Sequence, residues 1–297
     1  MNTKKILVAG AGTMGNGIAH AFAQYGYSVS LYDVSAISLE KASDTIEKNL
    51  DRQVNKNTIT ADDKINILQR IEFINNIHRA ANNCELLIEA VSENWEIKKK
   101  VFIEFDKIGN EHAILASNTS SISITKLASV TQRPDKVIGM HFMNPVPVMK
   151  LVEVIKGFNT SEDTVKKILE VSAALKKVPV LVNDLPGFIS NRILMPMINE
   201  AIYSLYENVA GVEEIDTIMK LGMNHPMGPL QLADFIGLDV CQNILQVLYN
   251  GFGNTKYAPC PLLNNMVEAG HLGVKSGAGF YRYEKGAKIV GTSERFL

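Results

Sequence analysis

The opening third of the chain alternates short apolar runs with stretches of helical spacing. Residues 6–9 are a single apolar run, short enough for a buried strand. Met14, Ile18, Ala21, Phe22 and Tyr25 then recur three or four residues apart, as one face of a helix does, and Gly26 supplies a stop. Residues 28–32 return to a strand pattern ending on Asp33. Five further apolar runs read as strands, at residues 86–91, 113–116, 136–142, 151–155 and 178–182. Between the second and third strands, residues 36–69 read as an extended, polar helical insertion. Within it, Thr60-Ala61-Asp62-Asp63 has the form of a helix start, a hydroxyl followed three positions later by an acid. Strands alternating with helices predict an α/β domain of the Rossmann type, with a doubly wound and mainly parallel sheet.

Beyond residue 182 the pattern changes. Asn183-Asp184-Leu185-Pro186-Gly187 is a turn-rich break, and the apolar positions that follow, such as Ile193, Met197 and Ala201, keep helical spacing. Residues 213–221, 230–247 and 261–268 continue in the same way. The expected organisation is therefore two domains. Residues 1–184 form a nucleotide-binding domain carrying the insertion, and residues 185–297 form an all-helical domain. A length of 297 residues agrees with two domains rather than one.

Charge narrows the range of partners. Thirty basic and thirty-one acidic residues leave a formal net charge of -1, which argues against broad electrostatic binding to nucleic acid or to an anionic membrane. No apolar run approaches the length of a membrane span, and the N-terminal run is too short for a signal peptide, so the expected location is the cytoplasm. Cys84, Cys241 and Cys260 are scattered and odd in number, a pattern that suggests neither a disulfide framework nor a metal cluster.

Chemistry enters at Gly10-Ala11-Gly12-Thr13-Met14-Gly15, a G-x-G-x-x-G placed directly between the first strand and the first helix. Gly10 permits the tight turn, Gly12 lets backbone approach a pyrophosphate, and Gly15 lets helix and strand pack closely. Thr13 and Met14 open the helix, whose N-terminal N–H groups and dipole favour phosphate. Asp33 ends the second strand, eighteen residues after Gly15, where a carboxylate accepts hydrogen bonds from ribose hydroxyls and repels a 2′-phosphate. No arginine follows closely to reverse that preference. NAD is the expected cofactor.

A second constellation lies at His141-Phe142-Met143-Asn144-Pro145-Val146-Pro147, with Glu153 inside the next strand. The prolines restrict the connecting loop, so the two strands are expected to run side by side. Glu153 lies among Leu151, Val152, Val154 and Ile155, and a buried carboxylate needs a partner. His141 is the natural one. A carboxylate on one imidazole nitrogen fixes the tautomer and raises the basicity of the other, as removal of an alcohol proton requires. The remaining histidines lack such a setting. Ser117-Asn118-Thr119-Ser120-Ser121 follows a strand and is placed to line a ligand crevice, although spacing does not choose among its hydroxyls or exclude a helix cap. Spacing leaves Asn191-Arg192 equally open.

Seven segments, GAGTMGNGIA, EAVSENWEIK, ASNTSS, HFMNPVPVMKLVEV, DLPGFISNRI, HPMGPLQLADFIGLD and GVKSGAGFYRY, together resemble the short-chain L-3-hydroxyacyl-CoA dehydrogenase family. They occur in the family's order from Gly10 to Tyr283. The resemblance implies an NAD-dependent enzyme acting on an acyl-CoA, with a homodimer formed through the helical second domain. It implies that His141 is the catalytic base or acid and that Glu153 orients it. Ser120 contacts the substrate oxygen and the nicotinamide, and Asn191 lies beside the reacting carbon. Glu93, Lys98, Asn144 and Lys275 match positions lining the NAD site. Lys56 corresponds to a CoA-contacting lysine, and Asn49 stands where the family also has serine. The tail after Tyr283 departs from the family pattern. Two other readings compete: a dehydrogenase of a free hydroxy acid such as a sugar acid, and a non-catalytic NAD-binding protein on the same fold. The insertion with Lys56 favours CoA over the first. Joint retention of Ser120, His141, Glu153 and Asn191 opposes the second.

Overall fold

A computed structural model describes residues 5–284 and 287–296 of the chain. Residues 1–4, ahead of the first expected strand, and residues 285, 286 and 297 of the tail lie outside the described residues. The chain divides into two compact units, Met1–Leu185 and Pro186–Leu297.

In the first unit, β1 (Lys5–Ala9), α1 (Thr13–Gln24) and β2 (Ser28–Tyr32) follow one another with little connecting chain. The insertion comprises α2 (Ala36–Asn55) and α3 (Ala61–Gln69). Then come β3 (Ile71–Ile74), α4 (Ile77–Ala80), β4 (Leu86–Glu89), α5 (Trp95–Ile108), β5 (Ile114–Ser117) and α6 (Ile124–Ala128). β6 (Val137–Phe142), β7 (Leu151–Lys156), α7 (Glu162–Ala174) and β8 (Val178–Asn183) complete it. The eight strands form one sheet in the order β3-β2-β1-β4-β5-β6-β7-β8. The first six in that order are parallel to one another, β7 runs antiparallel to β6, and β8 is parallel to β7. This is the mainly parallel, doubly wound sheet that the alternation of strands and helices implies. Chain order reverses between β1 and β4, and the crevice beyond their carboxyl ends is where such sheets bind nucleotides.

β3 is absent from the sequence expectations. Ile71-Glu72-Phe73-Ile74 is only four residues long and shows no alternation, and its strand character comes from pairing with β2, Val29 opposite Ile71. The insertion packs as its pattern demands: Leu39, Ala42, Ile46 and Leu50 are the buried face of α2 and join the core under the sheet. The Ser35 hydroxyl caps α2 by accepting from the Ser38 N–H at 3.2 Å. Thr60 and Asp63 form a reciprocal capping box on α3, the N–H of Asp63 donating to the Thr60 hydroxyl at 3.0 Å and that of Thr60 to the Asp63 carboxylate at 2.9 Å.

The second unit contains α8 (Ser190–Tyr206), α9 (Val212–Gly222), α10 (Pro229–Ile236), α11 (Leu238–Phe252) and α12 (Pro261–Glu268) around a separate core that includes Leu230, Leu245, Leu263 and Phe280. It is helical but not wholly so, which corrects the all-helical expectation. β9 (Tyr281–Glu284) and β10 (Lys288–Thr292) pair antiparallel at its end. Tyr281 and Tyr283 face inward and Arg282 and Glu284 outward, the alternation of a strand with one buried face. No helix among the described residues is long and apolar enough to cross a membrane. All three cysteines are free and buried, and burial pushes the Cys84 thiol up to about 11 and the Cys241 thiol to about 12, far from reactive thiolates.

Candidate active site

The glycine turn sits at the switch point. Gly10 has φ +105°, and a Cβ there would lie 2.5 Å from the Ala90 carbonyl oxygen at the end of β4. A Cβ on Gly15 would lie 1.7 Å from the Gly10 carbonyl oxygen. Gly12 is different, because its missing Cβ faces open space. Gly12 is also the N-cap of α1 and offers no side-chain cap, so the first N–H groups of the helix, at Thr13 and Met14, receive no acceptor from the N-cap side chain, as an anion-binding helix start requires. Asp33 accepts from the Ala11 N–H at 2.8 Å with one carboxylate oxygen and from the Ser35 N–H at 2.9 Å with the other. Each oxygen has a second lone pair, the one a ribose hydroxyl would use. A cavity of about 690 Å³ opens here, lined by Gly10, Gly12 and Asp33 and by the apolar Ile77, Ile97 and Val101. These residues fit a dinucleotide.

Beside it lies a buried charge network. Glu89 ends β4 fully buried, and its Oε1 accepts from Lys98 Nζ at 2.7 Å and from the Val91 N–H at 2.7 Å. Its Oε2 accepts from the Ser117 hydroxyl at 2.6 Å. Burial holds the Glu89 carboxyl above its usual range, against the pull of Lys98. Lys98 is itself 1% exposed and reaches on to Glu93 at 3.1 Å. Glu93 Oε1 lies 2.6–3.3 Å from the hydroxyls of Thr119, Ser120 and Ser121 and from the N–H groups of Ser120 and Ser121. Burial pushes its carboxyl up, but Lys98 and the hydroxyl donors outweigh that, and it sits below the usual range. The loop bearing Ser120 is thus gathered onto Glu93. Lys98 acts inward, and the group it presents near the loop is the Glu93 carboxylate.

His141 and Glu153 stand directly opposite each other in the β6–β7 ladder. Nδ1 of His141 lies 2.8 Å from Glu153 Oε2, with both side chains buried. A register of this kind aims the two side chains at the same face, so the pairing is a consequence of strand geometry. Asn118 ties the Ser120 loop to this strand end by accepting from the Phe142 N–H at 2.9 Å. The β6–β7 connection, residues 143–150, carries the exposed Asn144, whose bond to Pro145 is cis.

The other expected site residues lie on the insertion and in the second unit. Asn49 and Lys56 are two turns apart on one side of α2, and the exposed Lys56 is its C-cap. Asn49 accepts from Arg52 at 3.2 Å. Asn191 is buried in the first turn of α8. Lys275 lies on a short turn, Val274–Ser276, and pairs with Asp239. Glu89 escapes the sequence reading, although its signal is the one that marks Glu153, an acid within an apolar run. Asn118 lies in the loop that the sequence places at the crevice, but nothing in its spacing points to the bond with Phe142.

Residues 5–185 match the NAD binding domain of 3-hydroxyacyl-CoA dehydrogenase, and residues 187–283 match that family's C-terminal domain. The 3-hydroxybutyryl-CoA dehydrogenase of Bradyrhizobium diazoefficiens is 53% identical over 289 residues, 97% of this chain and 98% of that one. The mitochondrial hydroxyacyl-coenzyme A dehydrogenase of Homo sapiens is 41% identical over 287 residues, 95% and 91% of the two chains. Among solved structures, (S)-3-hydroxybutyryl-CoA dehydrogenase PaaH1 from Ralstonia eutropha has a TM-score of 0.93 at 48% identity, covering 96% of this chain and 100% of that one. The chain belongs to the 3-hydroxyacyl-CoA dehydrogenase family, NAD-dependent oxidoreductases of acyl-CoA thioesters.

Proposed function

We propose that the enzyme interconverts (S)-3-hydroxybutyryl-CoA and acetoacetyl-CoA, using His141 and Glu153 as an acid–base pair. The observation that carries the reading is the 2.8 Å contact between His141 Nδ1 and Glu153 Oε2. Toward the ketone, His141 Nε2 takes the proton of the 3-hydroxyl, and Glu153 stabilises the imidazolium that forms. When bound, NAD supplies the nicotinamide carbon that accepts the hydride from C3. Ser120 and Asn191 steer the substrate oxygen. Gly10, Gly12, Thr13, Met14, Gly15 and Asp33 hold the pyrophosphate and ribose, and Glu93, Lys98, Asn144 and Lys275 line the NAD site, Lys98 by holding Glu93. Lys56 and Asn49 receive the CoA portion along α2. We assign residues 1–184 to NAD binding and 185–297 to substrate binding and dimerisation. Exposed Ile218 and Leu221 on α9 support a homodimer. Cytoplasmic short-chain fatty-acid or butyrate metabolism is the setting this substrate suggests.

The test is loss of NADH absorbance with acetoacetyl-CoA, with NADPH and free acetoacetate as comparisons. The expected result is rapid oxidation that requires both NADH and the thioester. Equal turnover of free acetoacetate would replace this reading with a free hydroxy-acid dehydrogenase.

A further inference from the structure

Lys177 is a buried cation that the reaction above does not use. Lys176, just beyond the α7 C-cap Leu175, has φ +53°, and the Lys177 N–H closes the turn onto the Ser172 carbonyl at 3.2 Å. The side chain then turns inward and is 8% exposed. Its Nζ donates to the carbonyl oxygens of Val146 at 2.5 Å and Met149 at 2.6 Å. Burial lowers its pKa, and no carboxylate among the described residues counters that effect. A buried lysine ordinarily has an anionic partner. Here two carbonyls of a single loop take that place.

That loop is the β6–β7 connection. The ladder fixes His141 opposite Glu153, but it does not set how the connection lies against α1. Two contacts do. Val146 rests on α1 so closely that a Cβ on Gly17 would come within 2.9 Å of the Val146 Cβ. Lys177 in turn holds the carbonyls at positions 146 and 149. His20, also on α1, is pushed down to about 4 by burial and then by the charge of Lys177, so the histidine is neutral and adds no second cation to this packing. The connection is therefore packed on α1 through Val146 and tied to the start of β8 through Lys177.

We infer that Lys177 is a positioning residue, holding the Asn144 loop at a fixed height over α1 and so setting the nicotinamide half of NAD against His141. The inference rests on the reading of Asn144 and His141 given above. It calls for a residue with long reach and more than one N–H, because Val146 and Met149 are held by the same nitrogen.

The experiment compares Lys177→Met, which fills the space without donors, with Lys177→Arg, which keeps them. Lys177→Met is expected to melt cooperatively, bind NADH several-fold more weakly and lose up to about 10²-fold in kcat, the scale of a misplacement near 1 Å at a reacting centre. Lys177→Arg is expected to recover most of both. Lys177→Met with wild-type NADH affinity and kcat, its only change a lower melting temperature, would overturn the inference and leave Lys177 a packing residue. If Lys177→Met does not fold, Lys177→Gln, which keeps two N–H groups at shorter reach, carries the same expectations. NADH binding is read by fluorescence without thioester. Failure of the wild-type enzyme to reduce acetoacetyl-CoA would therefore sink the proposed reaction while leaving the NADH-binding half of this comparison intact.

Discussion

Glu153 and Asp234 are both buried carboxylates, one in each unit, and they differ in the kind of partner they have. Glu153 faces an imidazole nitrogen at 2.8 Å, a group able to take up and release a proton. Asp234, on α10, accepts from the N–H groups of Phe280 and Tyr281 at 3.0 and 2.9 Å and from the Tyr283 hydroxyl at 3.0 Å. Those donors keep their protons throughout the ordinary range, and burial pushes the Tyr283 hydroxyl further up. Asp216 is held similarly, by the N–H groups of Leu230 and Gln231 and by the Tyr281 hydroxyl. A Cβ on Gly279 would lie 1.9 Å from an Asp234 oxygen, so the chain is built closely around this acid. Burial alone therefore does not mark a catalytic carboxylate. The first acid is set against a group that can exchange a proton, and the second fastens the β9–β10 hairpin to α10.

The largest effect should follow from breaking the first pair. His141→Gln keeps a polar partner for Glu153 but has no basic nitrogen. Turnover should fall by about 10²–10⁴-fold, the usual worth of general acid–base assistance. NADH binding, followed by fluorescence titration, and the melting temperature should stay close to wild type. Unchanged turnover would remove His141 from the chemistry. Glu153→Gln should lose less, because it leaves the imidazole in place and removes only the charge that stabilises its protonated form. If it lost more than His141→Gln, the carboxylate would be reacting directly and the comparison would have the roles reversed.

The sequence is most legible where local chemistry and tertiary geometry agree. The glycine turn declares itself because Gly10 and Gly15 are sterically obligatory. His141 and Glu153 declare themselves because a short, proline-bearing connection leaves adjacent strands few registers. β3 is illegible for the opposite reason, since four residues become a strand only by lying beside β2. The terminal hairpin is hidden in a segment where the family pattern ends, and its inward tyrosines make sense only once Asp216 and Asp234 are seen to receive them. Lys98 reads as a cofactor contact by position, yet its ammonium lies between Glu89 and Glu93, a network assembled from β4 and the segments that follow it. Lys177 carries no local signal at all. It meets the His141 loop only because β8 lies alongside β7.

The smallest effect concerns Asp234 and is read as stability against pH. Burial raises its carboxyl from 3.8 to about 6, with the charge of Asp216 adding to the rise and the hydrogen bonds from Tyr281, Phe280 and Tyr283 opposing it. A carboxyl raised on folding holds its proton more tightly in the folded chain than in the unfolded one. Its contribution to stability is therefore complete below about pH 4 and is lost as pH rises through about 6. The span between those limits is worth about 3 kcal/mol at most. Asp234→Asn keeps the shape and cannot titrate; its amide nitrogen donates to the Tyr283 hydroxyl but meets the Tyr281 N–H, another donor, which adds a loss of stability that does not vary with pH. Melting temperatures of the two proteins, compared from pH 4.5 to 7.5, should favour the wild type more at the acidic end. Comparing the pair cancels the titration of every other group. Neutral-pH kcat should be unchanged in Asp234→Asn, because Asp234 exchanges no proton with substrate. A difference in melting temperature that does not vary with pH would show that the Asp234 carboxyl is not raised. A loss of kcat with NADH binding intact would put this acid in the chemistry and dissolve the distinction between the two carboxylates.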